Sequence, residues 1–256
     1  MDNAHHGREM HWSHLLIWTL RGMATAIMAC TGWPAARAVE LAGIWAMPFF
    51  QLLFLFPAYG VLCRKLGWVP AGLFGLLALT LDGLSAGFYP LRPDHHGLQL
   101  YATLFSFACL QLGGMGWTRT GATRASFDGI HAFRPFSVPT HSEARRWFIA
   151  SGIFGGLALW FGATVWLFSL AVIALAVLVS IPMCGRPRGT DLRYAPALWH
   201  WWAGAGVLAG AGFYLLEYAP SHFAMRLEVN HPLYWLCWAG VAEGLRFLSS
   251  SQTPWF

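Results

Sequence analysis

Residues 147–184 read WFIASGIFGGLALWFGATVWLFSLAVIALAVLVSIPMC, from Trp147 to Cys184, without one Asp, Glu, Lys or Arg. A helix rises about 1.5 Å per residue and needs roughly 20 apolar residues to cross the hydrocarbon core of a bilayer. The stretch is too long for one crossing and too apolar for a surface in water. It reads as two helices folded back on each other, with the break at residues 162–164. The split brings Arg186, Arg188 and Arg193 to the side that already holds Arg64, Lys65, Arg119, Arg124, Arg134, Arg145, Arg146 and Arg246. Eleven of the 16 basic residues then share one side, which an excess of Lys and Arg marks as cytoplasmic.

Composition supports this outward from the run. The 256 residues are 57% hydrophobic and 11% charged, with 15 Trp, whereas a soluble domain carries about 25% charged residues. A soluble enzyme, a disordered chain, a coiled coil and collagen are all excluded. Further apolar stretches at 38–63, 67–88, 98–117, 197–217 and 231–248 join 147–163 and 165–184 as candidate spans. The expected fold is all-α: one polytopic transmembrane bundle over 1–256, of about seven spans. Residues 12–33, apolar but interrupted by His14 and Arg21, are expected to lie as a helix in the membrane interface. Alternation of β type is absent, which argues against an outer-membrane barrel.

The net charge of +5 belongs to the loop arginines, so membrane lipid is the expected partner and nucleic acid is not. Cys30, Cys63, Cys109, Cys184 and Cys237 lie singly, without CxxC spacing, and read as small buried apolar residues. Ser142 and Glu143, just before Trp147, read as a helix start, and the loop 118–146 before it carries no catalytic pattern.

The opposite, extracytoplasmic side receives a concentration of acidic and imidazole residues. Three segments remote in sequence deliver them: Asp2, His5, His6, Glu9, His11 and His14; Asp94, His95 and His96; Glu217, His222, Glu228 and His231. Asp94 follows Pro93 at the start of a span, where it can cap the helix. Equally, Asp94 and His96 can share one divalent cation, Mn²⁺ or Mg²⁺, with the imidazole favouring Mn²⁺. Asp2 offers a base or a further ligand, while Arg8 and Arg226 offer the bidentate grip that suits phosphate. Each of these groups also has a plainer reading as juxtamembrane polarity or snorkelling. Within the spans, Asp82, His200 and Glu243 are either functional or paired with Arg or a backbone group.

Three passages carry a family resemblance: Asp2 with Gly7-Arg8-Glu9-Met10-His11-Trp12-Ser13; Asp94-His95-His96-Gly97-Leu98-Gln99; and Arg226-Leu227-Glu228-Val229-Asn230-His231-Pro232-Leu233-Tyr234. In these the chain resembles bacterial membrane glycosyltransferases of the GT-C type, related to the catalytic subunit of oligosaccharyltransferases. The resemblance implies transfer of a sugar from a polyprenyl-phosphate-type donor to an acceptor at the extracytoplasmic face of the inner membrane, with a divalent cation. Asp2 then matches the first acidic position, and Asp94 with His96 the second. The catalytic carboxylates implied are Asp2, Asp94 and Glu228. Arg8, Arg226, His222 and His231 would line the donor, and Asp94, His96 and Asp2 would hold the cation.

Such enzymes have a membrane helix before the first acidic loop and are longer. The chain is therefore expected to be a shortened member, lacking an N-terminal helix and a C-terminal part. The alternative expectation is a non-catalytic membrane subunit or truncated remnant, acting with a partner membrane subunit.

Overall fold

The computed structural model describes residues 13–90, 94–114, 139–184, 195–218, 227 and 230–250. Among these residues there are helices and no strand: α1 (Leu15–Thr31), α2 (Ala35–Leu66), α3 (Trp68–Thr80), α4 (Asp82–Ser85) with a 3₁₀ turn (Ala86–Phe88), α5 (His95–Leu112), α6 (His141–Phe161), α7 (Ala163–Cys184), α8 (Ala195–Tyr218) and α9 (Pro232–Ser250). The all-α expectation is met.

Local chemistry sets the boundaries. Gly32 and Gly67, at φ 68° and 103°, end α1 and α2 in backbone that other residues rarely adopt. A capping box starts α6: the Glu143 N–H donates to Thr140 Oγ1 at 3.3 Å, and the Thr140 N–H donates to Glu143 Oε2 at 3.0 Å. The helix thus begins at His141, one residue before the expected Ser142. The long apolar run breaks at Gly162, inside the expected 162–164.

The stretch 67–88 is not one straight helix, since α3 stops at Thr80 and Asp82–Phe88 departs at 79°. Leu81 sits at that corner in extended geometry, and Asp82 begins the short helix beyond it.

Helix α6 is the hub, flanked by α5 and α8, with α9 against α8 and α1 against α2. The α6–α8 seam is backbone against backbone. A Cβ on Gly152 would stand 2.3 Å from the Trp202 carbonyl oxygen, and one on Gly156 would stand 2.6 Å from Ala209 Cβ. Gly152 and Gly156 face Gly206 and Gly210, so each helix presents glycines four apart, the spacing that lets apolar helices pack closely. The room left beside them is filled by indoles. Trp166 sits where a side chain on Gly155 would, and Trp238 where one on Gly206 would. Trp166, Trp199, Trp202 and Trp238 are fully buried in one cluster.

Polar contacts show which helix ends lie together. Lys65 pairs with Glu143 at 3.3 Å, and His200 at the start of α8 meets Glu243 late in α9 at 2.9 Å. At the other end, Gln99 Nε2 donates to the Gly162 carbonyl at 2.6 Å. Trp160 Nε1 donates to Glu217 at 2.9 Å there. Consequently α5, α7 and α9 run away from the Gly162 end, while α6 and α8 run toward it.

The expected count of about seven spans is not what the helices give by length and hydropathy. Among the described residues, Ala35–Leu66 alone passes, or two spans if the bent pair Trp68–Thr80 and Asp82–Phe88 counts as one. The reason lies in the Trp and Gly content of α6, α8 and α9 and in the polar groups they carry: Arg145 and Arg146 on α6, His200 and Glu217 on α8, Glu243 and Arg246 on α9. Indoles counted as apolar in the sequence are half-polar on a transfer scale, and many of them turn inward here. Large apolar side chains nevertheless face outward on α2, α7, α8 and α9, where Phe56, Phe168, Leu208 and Leu236 are each at least 70% exposed. The cysteines are only partly as expected: Cys109 is buried, but Cys30 and Cys237 are exposed.

Candidate functional site

The site is built at the start of α5. Asp94 has extended backbone and caps the helix, its Oδ1 accepting the His96 N–H at 3.1 Å. The same oxygen lies 2.5 Å from His96 Nδ1 and 3.5 Å from His95 Nδ1. One ligand atom from each of Asp94, His95 and His96 can be drawn from a cluster within 4.8 Å. Burial pushes the Asp94 carboxyl upward, but the hydrogen bonds and positive potential from His96, with a smaller part from His95, outweigh it. The group is held below its ordinary value. His95 is mostly covered and His96 is open to solvent, with rings 4.3 Å apart. One carboxylate and two imidazoles form a mixed O/N donor set, suited to borderline divalent cations. Capping and ligand clustering, alternatives in the sequence, coincide in the same side chain.

A backbone contact positions the triplet. Gly87, at the end of the bent segment, lies so near Gly97 that a Cβ on Gly97 would meet the Gly87 carbonyl oxygen at 2.6 Å. Two residues later, Gln99 is buried and anchored on Gly162. The first turn of α5 is thus held from both sides. Gly97→Val is expected to push that turn off Gly87 and weaken Mn²⁺ binding at least tenfold, with α-helical content retained. Titration calorimetry beside circular dichroism checks this, and wild-type affinity in the variant would show that the contact does not position the triplet.

The same end of the bundle holds a second polar group. Glu217, closing α8, has a side chain only 2% exposed. It accepts the His14 backbone N–H at 3.1 and 3.2 Å, the Trp160 indole N–H at 2.9 Å and a close contact from His14 Nδ1. His231 precedes α9, and its Nδ1 accepts the Leu233 N–H at 3.1 Å. Asn230 beside it donates to the Gly210 carbonyl at 2.7 Å and fastens this entry to α8. Asp94, His96, His231, Glu217 and His14 therefore lie at the Gly162 end.

Asp2, Arg8, His222, Arg226 and Glu228, the other candidate residues, lie outside the described residues. Of the polar groups within the helices, Asp82 accepts the Tyr89 hydroxyl at 2.9 Å, while Glu243 binds His200 and Arg246 at the opposite end. The pairing reading holds for Glu243.

No family model, curated protein or solved structure matches the chain. Function must then be read from side-chain chemistry. Sequence reasoning missed His95 as a third donor, although its adjacency to Asp94 and His96 was the available signal. It also missed the burial of Glu217 on His14 and Trp160, for which no local pattern exists.

Proposed function

We propose that the chain is a multi-pass inner-membrane glycosyltransferase of GT-C type. It would move a sugar from a polyprenyl-phosphate-type donor to an acceptor at the extracytoplasmic face. The observation that carries this reading is the Asp94–His95–His96 donor cluster at the same bundle end as Glu217, His14 and His231.

Two further features support it. Helices α6 to α9 are 21, 22, 24 and 19 residues long, lengths that match a hydrocarbon core of about 30 Å. Their outward-facing Phe168, Leu208 and Leu236 would be costly in water and cost nothing in lipid. Together with α2, the bent α3–α4 pair and α5 they make up about seven membrane-embedded segments, with α1 along the interface.

Asp94 and His96, joined by His95, would hold a divalent cation whose charge offsets that of the lipid-phosphate leaving group. The second imidazole favours Mn²⁺ over Mg²⁺. Asp94 keeps its carboxylate ionised and aimed along the start of α5. Gln99 and the Gly87–Gly97 contact keep that start from shifting. Arg8 and Arg226 are assigned to the donor phosphate, Asp2 to the cation, and Glu228, His222 and His231 to the sugar-bearing side. A partner membrane subunit is the alternative source of activity if the isolated chain is silent.

The test is transfer of radiolabelled sugar from a polyprenyl-phosphate donor in proteoliposomes. Transfer is expected to stop after EDTA treatment and return with Mn²⁺ more fully than with Mg²⁺. Transfer unaffected by complete removal of divalent metal, or no transfer by the chain alone or with its co-purified membrane partners, refutes the proposal.

A further inference from the structure

A carboxylate that is 2% exposed needs partners for both oxygens, because an ion left unpaired out of water is strongly destabilising. Glu217 has them. Its Oε2 takes the Trp160 indole N–H at 2.9 Å, and both oxygens share the His14 backbone N–H. Indole and amide N–H groups only donate. The ionised carboxylate accepts from both and, carrying no proton of its own, can only accept again, so the proton in its close contact with His14 belongs on Nδ1 of the ring. That fixes the tautomer: Nε2 carries the lone pair.

The ring itself is not buried. The His14 side chain is 40% exposed, and one face stacks on Trp18 with centroids 6.0 Å apart. A buried carboxylate behind an exposed imidazole with its proton on the inner nitrogen is the arrangement of an oriented general base. Nothing about anchoring α1 requires it. The His14 backbone N–H alone would tie the helix start to Glu217, and any residue could supply that. Glu217 on α8 is the ionisable group bonded to the ring, Trp160 on α6 contributes a neutral donor, and Ser13 precedes it with a buried hydroxyl.

We infer that His14, oriented by Glu217, is the proton-accepting catalytic residue of the extracytoplasmic face, and that Glu217 is its positioning residue. This rests on the glycosyl-transfer reading for the identity of the reaction. The acceptor hydroxyl gives its proton to His14 Nε2 as its oxygen bonds to the anomeric carbon of the donor sugar. The bond from that carbon to the lipid-phosphate oxygen breaks, and its electron pair leaves on the phosphate. The imidazolium formed is stabilised by the carboxylate already touching Nδ1. Trp160, stacked on Phe213 at 4.6 Å, holds Glu217 in turn.

Two readouts on the full chain in proteoliposomes test this, one of them independent of turnover. Diethyl pyrocarbonate acylates an unprotonated imidazole nitrogen, and peptide mass spectrometry can follow His14 separately. Glu217→Gln, which keeps the side-chain shape, is expected to slow acylation of His14 on the order of tenfold, as loss of an orienting carboxylate frees the wrong tautomer. His14→Ala is expected to lower kcat by roughly 10²–10⁴ with donor KM preserved, the range for a missing general base. Added imidazole should restore part of that activity. Acylation as fast in Glu217→Gln as in wild type overturns the inference, and so does His14→Ala with wild-type kcat. If the wild-type chain transfers no sugar while Asp94 still binds Mn²⁺, the glycosyl-transfer reading fails alone, and the acylation ratio still decides the dyad.

Discussion

Gly152→Val is expected to separate α6 from α8 and to cost the chain most of its stability. Its Cβ would fall 2.3 Å from the Trp202 carbonyl oxygen and 2.8 Å from the Gly206 nitrogen, atoms of the facing backbone that no rotamer change can move. Overpacking in a core costs about 1–3 kcal/mol when side chains yield, and more when they cannot. Here two helices must part, so about 3 kcal/mol or more is expected, against a total of about 5–15 kcal/mol for a folded domain. A steep fall in the detergent thermal-aggregation midpoint checks it. Gly204→Ala is the control, since its Cβ would meet nothing within 4 Å. That change should raise stability by about 0.4–1 kcal/mol through the unfolded chain. If Gly152→Val melts like wild type, the seam is not packed on glycine.

Asp94→Asn and Asp94→Ala are expected to separate the two jobs of one side chain. Asparagine caps a helix about as well as aspartate, whereas alanine loses the cap and costs about 0.5–2 kcal/mol. Both remove the carboxylate that His95 and His96 surround. Both should therefore lower sugar transfer by roughly 10²–10³, the rate equivalent of several kcal/mol of charge stabilisation. Only Asp94→Ala should also lower the melting point. Wild-type transfer in Asp94→Asn would remove the cation from the reaction. Equal melting points for the two variants would instead remove the cap from the stability of α5.

Much of this architecture is legible in the sequence because bilayer-length apolar stretches and the break at Gly162 are local properties. Each expected stretch contains a helix, and the pattern of basic and acidic residues already separates the two ends. What is not legible depends on tertiary placement. The 79° corner at Leu81 follows no Pro, so an apolar run hides it. The burial of Trp166 and Trp238 depends on Gly155 and Gly206, glycines of other helices that make room for their indoles inside the bundle. For the site, Asp94 and His96 announce themselves by adjacency. Glu217 and His14 lie 203 positions apart, and only the parallel run of α6 and α8 toward the Gly162 end brings Glu217 to the start of α1.

The four buried tryptophans have a further use. Among the described residues their indole nitrogens find no acceptor, and successive ring pairs stand 4.8, 5.2 and 5.5 Å apart. Chromophores so close couple electronically, and without a polar partner they emit toward the blue. Ultraviolet excitation thus senses whether α7, α8 and α9 are assembled, so the refolding of this bundle can be watched with no added dye.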